Sequence, residues 1–217
     1  MESNLNELHI FYCGNACKII TANHWNLNLK KLYLYYVLCM NGDISMDINR
    51  HIYLVGFMGC GKSTVARELS RQLGIAHIDT DACIAGEQDM SIADIFEKYG
   101  EEHFRRLETD LLERLQNEPP AVIACGGGMA ARDNNIELMK KSGLVVMLTA
   151  RPDTIYARVR HNKNRPLLNG NMNIEDITGL MEKRLDCYNR AADVHVATDE
   201  CTPEDIVKKI VELFDEM

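Results

Sequence analysis

The chain has 217 residues, enough for one domain with additional segments and for a substantial buried core. Its formal net charge is −8 at neutral pH, which excludes a broad basic surface for nucleic acid but leaves room for a local phosphate pocket. Its 46% hydrophobic and 26% charged residues are ordinary for a soluble globular protein.

Eight cysteines are scattered along the chain, without a CxxC pair and without the compact spacing of a disulfide framework. Several of them stand inside apparent strands or helices. We therefore expect reduced thiols and a cytoplasmic protein, because the cytosol keeps thiols reduced.

The first 45 residues differ from the rest: they contain no arginine, the only tryptophan and three of the eight cysteines. Their apolar run, Leu32–Met40, is too short for a membrane span, which needs about 20 residues. No signal-peptide cleavage pattern follows it. We interpret residues 1–45 as a dispensable extension, either poorly ordered or the product of a wrongly assigned start codon. Met46 would be the natural start, and residues 46–217 the functional domain.

From residue 50 onward, short apolar runs alternate with helical patterns. His51–Gly56 predicts a buried strand closed by a glycine. Lys62–Gly74 predicts a helix with its apolar residues on one face and a glycine at its C-terminal end. Ala76–Asp79 predicts a short second strand.

Two helical runs come next, one opening at Ser91 with capping-box spacing and one over residues 101–116. Residues 121–125 and 144–149 predict two more buried strands. The last strand is predicted at Val194–Ala197, and the last helix starts at Thr202. Strands that alternate with helices indicate an α/β fold, with a parallel sheet covered on both faces.

The stretch GFMGCGKST, Gly56–Thr64, lies between the first predicted strand and helix and matches the P-loop pattern. Glycines let backbone N–H groups converge on phosphate oxygens, and the helix N-terminus adds its positive end. We expect Lys62 to reach the β- and γ-phosphates and the Ser63 hydroxyl to bind Mg²⁺. The mechanism does not require the thiol of Cys60. The alternative interpretation of the whole stretch is a plain glycine turn that joins the strand to the helix. The predicted nucleotide-binding residues of the loop are Gly59, Cys60, Gly61, Lys62, Ser63 and Thr64.

A second cluster, HIDTD, places Asp79 and Asp81 at the end of the second predicted strand. Strand alternation puts both side chains on the same side, beside the phosphate loop. Two carboxylates at that position suit one contact to a metal ion and one to a hydroxyl group. The alternative is a turn in which an aspartate caps the next helix.

A polar and locally basic stretch, HNKNRPLLNGNMN, covers residues 161–173. Its asparagines, proline and glycine predict a loop. As a lid, such a loop closes over a nucleotide, excludes water and stabilises charge on the moving phosphoryl group. The alternative is an exposed polar linker.

Residues 48–217 resemble the shikimate kinases in six motifs, which occur in that family's order and spacing: GFMGCGKST, DTD, FRRLE, CGGG, RPLL and RLDCY. The resemblance implies a nucleoside-monophosphate-kinase-like P-loop fold with five parallel strands flanked by helices. It also implies a substrate-binding helical segment at about residues 80–117 and a lid. The implied reaction transfers the γ-phosphate of ATP to the 3-hydroxyl of shikimate, in aromatic amino-acid biosynthesis.

For the acceptor site, the resemblance implies that Asp81 binds the ring hydroxyls of shikimate and orients or deprotonates the attacking one. It implies that Arg105 grips the substrate carboxylate, with Arg184 as a second guanidinium, and arginine suits carboxylates because it binds them bidentately. Helical spacing lets Glu108 hold Arg105 in place. Taken alone, an exposed helical salt bridge would explain Arg105, and Tyr188 fits a position in the core. The resemblance also implies close approach of the backbone to substrate at Gly126, Gly127 and Gly128.

For the nucleotide site, the resemblance implies that Asp79 helps to hold Mg²⁺ through water and that Arg165 in the lid contacts the transferring phosphate. The turn after the last strand, TDECTP, is acidic where family members often carry a basic residue near the adenine. We therefore expect Arg158 to cover the adenine by stacking. The predicted catalytic residues are Lys62, Asp81 and Arg165.

Two other functions are compatible with a P-loop. A related small-molecule kinase, of gluconate type, would keep most of these motifs. A GTPase-like switch needs an NKxD motif after a DxxG motif, whereas here NKNR lacks the aspartate and precedes DITG. We expect a monomer whose partners are ATP and shikimate, and no nucleic acid or membrane.

Overall fold

The computed structural model describes residues 8–13, 16–21, 49–160 and 173–215. The chain divides into two units, Met1–Asn41 and Gly42–Met217. In the first unit, strands β1 (Leu8–Cys13) and β2 (Ala16–Thr21) pair antiparallel. Whether residues 1–45 are dispensable stays a prediction. Within the described ranges, every helix is too short or too polar to span a bilayer.

The second unit is built on a five-stranded parallel sheet, as the sequence predicted. Across the sheet, the strand order is β4-β5-β3-β6-β7, so β3 is central. Its residue Ile52 pairs with Val122 of β5 on one side and with Leu144 of β6 on the other. The five strands are β3 (His51–Val55), β4 (Ala76–Asp79), β5 (Ala121–Ala124), β6 (Gly143–Thr149) and β7 (Val194–Ala197).

Helices connect these strands and cover the sheet. A 3₁₀ turn at Met129–Ala131 follows β5. The described helices are α1 (Lys62–Leu73), α2 (Thr80–Gln88), α3 (Ile92–Leu115), α4 (Asp133–Ser142), α5 (Pro152–Val159), α6 (Ile174–Ala191) and α7 (Pro203–Asp215).

Burial explains why the central strands are mostly apolar. Every residue of β3 and β5 is buried, and α1 packs against both strands. On the other side of β3, α4 packs against β6. The edge strands β4 and β7 keep partly exposed residues. Since all five strands end at the same edge, the loops that follow β3, β4 and β5 meet there, where open parallel sheets bind ligands.

The predicted helix ends are confirmed by their local geometry. Gly74 ends α1 in the left-handed conformation, with φ of 65°. Ser91 caps α3, since its hydroxyl oxygen accepts a hydrogen bond from the Asp94 N–H at 3.1 Å. At Gly100, φ of 80° and ψ of 169° break α3 into two helical parts, which match the two predicted runs. That backbone conformation is open essentially to glycine alone.

Two buried polar side chains at the opposite end of the sheet form hydrogen bonds within the core. The His51 ring accepts a hydrogen bond from the Ala121 N–H at Nδ1 and donates from Nε2 to the Leu115 carbonyl at 2.8 Å. The Tyr53 hydroxyl bonds the Ser142 hydroxyl at 2.8 Å, and burial raises the pKa of Tyr53 to about 12. Both side chains therefore serve packing, far along the strands from the loops that follow β3, β4 and β5.

Candidate active site

The stretch after β3 has the backbone geometry of a phosphate-binding loop, as its sequence predicted. Gly56 and Gly59 have φ of 133° and 80°, values that favour glycine. A Cβ atom at Gly56 would overlap the Leu148 carbonyl, and one at Gly59 would lie 2.7 Å from Val159 Cγ1. The loop therefore needs glycine at both positions, and it delivers the N-terminus of α1 to the sheet edge.

The Lys62 ammonium lies against its own loop. Its Nζ donates hydrogen bonds to the carbonyls of Gly56 at 2.8 Å and Phe57 at 3.1 Å. The buried thiol of Cys60 lies 4.0 Å from the same nitrogen. Only neutral groups hold the lysine in these contacts, so its positive charge is available to phosphate oxygens.

Asp79 and Asp81 both line the cleft beside the phosphate loop, but strand alternation is the wrong reason. The strand β4 ends at Asp79, and Asp81 lies in the first turn of α2. Asp79 is the N-cap of α2: its Oδ1 accepts from the Ala82 N–H, and its Oδ2 accepts from the Ser63 hydroxyl at 2.7 Å. The buried Thr80 stands between the two aspartates. The capping alternative is therefore correct for Asp79. The same side chain also contacts the phosphate loop, through the Ser63 hydroxyl.

One cleft of about 830 Å³ joins the loop, the two aspartates and the predicted acceptor residues. Gly126 is the one described member of the predicted set that does not line it. Arg165 and residues 161–172 of the predicted lid lie outside the described residues. The predicted residues that line the cleft are Gly59, Cys60, Gly61, Lys62, Ser63, Thr64, Asp79, Asp81, Arg105, Gly127, Gly128, Arg158 and Arg184.

Arg105, on α3, is held by two carboxylates. Its NH1 donates to Glu108 Oε2 at 2.8 Å, as the helical spacing predicted. Its NH2 donates to Glu101 Oε1, also at 2.8 Å. Glu108 is 0% exposed, and its Oε1 has no hydrogen-bond partner among the described residues. Burial raises the pKa of Glu108 above its ordinary value, against the opposing effect of Arg105, and the charge of Asp81 raises it further.

The glycine loop after β5 has close side-chain neighbours at all three positions. The Gly126 N–H donates to the Thr80 hydroxyl at 2.8 Å, and a Cβ atom at Gly126 would overlap the Asp81 carboxylate. A Cβ atom at Gly128 would overlap the Arg105 guanidinium. Side chains in this loop would therefore displace the very groups that line the acceptor end of the cleft.

Arg184, on α6, reaches the same loop from the opposite side. Its NH1 donates to the Gly127 carbonyl at 3.4 Å, and its guanidinium lies 5.9 Å from the centre of the Phe57 ring. The Tyr188 hydroxyl donates to the same carbonyl at 2.6 Å. Tyr188 is indeed buried in the core, but its hydroxyl is anchored on the glycine loop.

Arg158, on α5, bridges the phosphate loop and the end of β7. Its guanidinium donates to the Thr198 hydroxyl at 3.0 Å, to the Thr198 carbonyl at 2.7 Å and to the Gly59 carbonyl at 3.3 Å. These bonds use the edge of the guanidinium, whereas stacking uses its face. The acidic side chains of the turn after β7 form ion pairs, since Arg151 pairs with Asp199 and Glu200.

Three residues that support the site were not predicted from the sequence. Phe57 underlies Arg184, Thr80 holds the glycine loop, and Thr198 anchors Arg158. Phe57 belongs to the motif GFMGCGKST and Thr80 to the motif DTD, so their position beside predicted site residues was a signal. Thr198 directly follows a predicted strand and opens the turn TDECTP, whose expected place near the adenine was its signal.

The oxygen atoms of Ser63 and Asp79 fit a magnesium site. Mg²⁺ takes one or two oxygen ligands from a protein of this kind and the others from phosphates and water. The Ser63 hydroxyl and the Asp79 carboxylate are adjacent oxygens at the end of the phosphate loop. No group of three His, Cys, Asp or Glu residues in the described part of the chain is arranged to hold a metal by itself.

A phosphate loop, an acidic pair and an arginine-lined pocket in one cleft define a P-loop kinase that acts on a small anionic molecule. The family model described as shikimate kinase matches residues 58–215. The chain belongs to the shikimate kinase family.

Individual relatives agree over nearly their whole length. The shikimate kinase of Sulfurihydrogenibium sp. is 42% identical over 162 residues, which cover 75% of this chain and 96% of the relative. That of Dehalococcoides mccartyi is 38% identical over 165 residues, or 76% and 93% of the two chains. The gluconate-type kinase and the GTPase-like switch are therefore not favoured.

Solved structures place the same fold on similar sequences. The shikimate kinase from Acinetobacter baumannii in complex with shikimate superposes with a TM-score of 0.74 at 35% identity, over 78% of this chain and 95% of that one. The shikimate kinase from Aquifex aeolicus superposes with a TM-score of 0.65 at 37% identity, over 76% and 96%. The predicted fold class is therefore confirmed.

Proposed function

We propose that this protein transfers the γ-phosphate of ATP to the 3-hydroxyl of shikimate, in aromatic amino-acid biosynthesis. The observation that carries the proposal is the single cleft, which has a phosphate loop at one end and Arg105 and Arg184 at the other. Shikimate is an anion with several hydroxyls, and the cleft offers two guanidinium groups and a carboxylate to match. Family membership and the shikimate-bound relative support this assignment.

At the nucleotide end, the loop backbone and the N-terminus of α1 bind the phosphates, and Lys62 exchanges its two carbonyl contacts for β- and γ-phosphate oxygens. The backbone N–H groups that bind the phosphates include those of Gly59, Cys60, Gly61 and Thr64. Arg158 covers the adenine with its guanidinium face. Arg165, outside the described residues, contacts the transferring phosphate.

At the acceptor end, Arg105 and Arg184 bind the shikimate carboxylate. Asp81 binds the ring hydroxyls and orients the attacking one, and it accepts the hydroxyl proton as the new bond forms. The glycines admit the ring close to their backbone. Rate acceleration then comes from alignment of the hydroxyl with the γ-phosphate and from Lys62 and Arg165, which stabilise the charge on the transferring group.

Ser63 and Asp79 would hold Mg²⁺, directly through the hydroxyl and through water at the carboxylate. A bound magnesium ion neutralises charge that develops on the phosphate oxygens during transfer. The 2.7 Å hydrogen bond between the two side chains keeps both oxygens at one point of the cleft.

The catalytic domain comprises residues 46–217 in this proposal, and residues 1–45 are an extension that the reaction does not require. The relatives support this division, because their nearly complete lengths match about three quarters of this chain. We further propose that the enzyme is a cytoplasmic monomer. Its substrates are small molecules, and no nucleic acid or membrane takes part.

A coupled assay of ADP release with ATP, Mg²⁺ and shikimate tests the proposal, beside reactions with gluconate and with no acceptor. We expect turnover with shikimate alone. Asp81→Asn should lose turnover while it still binds ATP, which calorimetry measures. Turnover with gluconate at the same rate, or a fully active Asp81→Asn variant, would contradict the assignment.

A further inference from the structure

Arg184 differs from Arg105 in what holds it. Among the described residues, no carboxylate pairs with Arg184, whereas Arg105 has two. Its guanidinium instead lies over the face of Phe57, 5.9 Å from the ring centre, and donates to the Gly127 carbonyl. A cation over an aromatic ring is attracted to it without losing its charge. Arg184 is thus oriented by neutral groups and keeps its charge for a ligand.

Tyr188, one helical turn further along α6, contacts the same Gly127 carbonyl as Arg184. Residues four apart on a helix share a face, so the Arg184 and Tyr188 side chains both reach Gly127. The Tyr188 hydroxyl is a neutral donor at physiological pH, and burial raises its pKa further, to about 12. Its 2.6 Å bond and the Arg184 bond converge on one carbonyl oxygen.

Phe57 and Tyr188 stand behind the wall of the cleft. Both are buried, at 4% and 2% exposure, and neither is among the residues that line the cleft. Each of them instead touches a group that does line the cleft: Phe57 lies under Arg184, and Tyr188 bonds the Gly127 carbonyl. A long arginine side chain loses less freedom on binding when its neighbours already fix its orientation.

We propose that Phe57 and Tyr188 are positioning residues for shikimate binding: Phe57 orients the Arg184 guanidinium, and Tyr188 holds the Gly127 carbonyl beside it. The inference rests on the proposed function and extends it to two residues outside the substrate contacts. It predicts that both residues affect shikimate affinity and leave the chemical step unchanged, because the substrate carboxylate lies away from the transferred phosphate.

Steady-state kinetics of Tyr188→Phe and Phe57→Leu test the inference, with Tyr53→Phe as the matched control. Tyr53 is also buried and also loses one hydroxyl contact, at the opposite end of the sheet. We expect the KM for shikimate to rise about 2- to 10-fold in Tyr188→Phe and about 2- to 5-fold in Phe57→Leu. We expect kcat and the KM for ATP to stay at wild-type values, and Tyr53→Phe to lower only Tm.

A double-mutant cycle separates positioning from general packing. In an Arg184→Met background, Phe57→Leu should add no further rise in the KM for shikimate, since the group it orients is gone. A full additional rise would overturn the role of Phe57. Tyr188→Phe removes a single oxygen atom and keeps the test available if Phe57→Leu does not fold.

The remaining outcomes are distinct. If Tyr188→Phe lowers Tm as Tyr53→Phe does, but leaves the KM for shikimate unchanged, its role is structural and the inference is wrong. If the wild-type enzyme turns over shikimate normally in the same assay, this result overturns only the inference and leaves the proposed function intact. A wild-type enzyme without turnover of shikimate overturns the proposed function and the inference together.

Discussion

The two ends of the cleft are built in different ways. At the nucleotide end, the single stretch Gly56–Thr64 provides the loop, and neutral carbonyls hold Lys62. At the acceptor end, side chains from α2, α3 and α6 converge on the glycine loop, and Arg105 is already paired with Glu101 and Glu108.

This difference separates phosphate binding from acceptor selection. Phosphate has only to displace two carbonyl contacts from Lys62. In the proposed function, a carboxylate acceptor competes with Glu101 for Arg105, while Arg184 has no carboxylate partner among the described residues. The nucleotide end therefore depends on backbone conformation, and the acceptor end depends on the balance of side-chain charges.

Substitution of Lys62 should have the largest effect, and it should fall on the chemical step. Lys62→Met removes a charge that stabilises the transferring phosphoryl group, so we expect kcat to fall by roughly 10³-fold. The KM for shikimate should change little, because the proposed contacts of Lys62 are to the nucleotide phosphates and not to the shikimate carboxylate. Lys208→Met, on the exposed face of α7, is the matched control and should keep full activity. Quenched-flow or coupled kinetics measure both.

Substitution of Arg105 should act on the acceptor end alone. Arg105→Ala should raise the KM for shikimate by roughly 100-fold, since it removes a charged partner of the substrate. It should also lower Tm, because Glu108 is left buried without its cation. The neighbouring and exposed Arg106→Ala should do neither. An equal loss of ATP affinity, measured by calorimetry, would contradict the separation of the two ends.

A methyl group on the glycine loop tests how closely Arg105 packs against it. In Gly128→Ala the new Cβ overlaps the Arg105 guanidinium, so we expect a rise of about 10-fold in the KM for shikimate. Gly179→Ala, in the interior of α6 with open space around its Cβ, should leave kinetics unchanged. It should also raise the free energy of unfolding by about 0.5–1 kcal/mol. Similar kinetics in both variants would show that the loop moves away freely.

The buried carboxyl of Glu108 should make stability depend on pH. Its folded-state pKa is raised, mainly by burial, so the folded protein holds this proton more tightly than the unfolded chain. Its stabilising contribution is present below the unfolded pKa and is lost as pH rises through the folded pKa. Relative to wild type, Glu108→Gln should therefore become more stable as pH rises from about 4.5. Urea unfolding of both proteins across this range measures the difference, and a constant difference would contradict the prediction.

Removal of residues 1–45 should have the smallest effect. Both ends of the cleft belong to the unit Gly42–Met217, and the matching family model begins at residue 58. We expect kcat and both KM values of the truncated protein to equal those of the full chain. Loss of activity in a folded, soluble product would show that the segment takes part in the reaction.

Local rules account for what was predicted correctly. The phosphate loop is a contiguous motif, the helix caps at Ser91 and Gly74 act within one turn, and the pairing of Arg105 with Glu108 follows from helical spacing. The prediction failed in its reason for Asp81, because the strand ends two residues earlier and the helix begins between the aspartates. The identity of the residue did not reveal where extended backbone turns into helix.

The sequence by itself determined the class of fold, the phosphate loop and the set of charged residues at the strand ends, since each depends on neighbours within one strand or one helical turn. Only the tertiary structure decided which distant residues support them. Tyr188 meets Gly127 across 61 positions, and Arg158 meets Gly59 across 99. Such contacts follow from the register of the parallel sheet and the packing of helices on it, and no local pattern encodes either one.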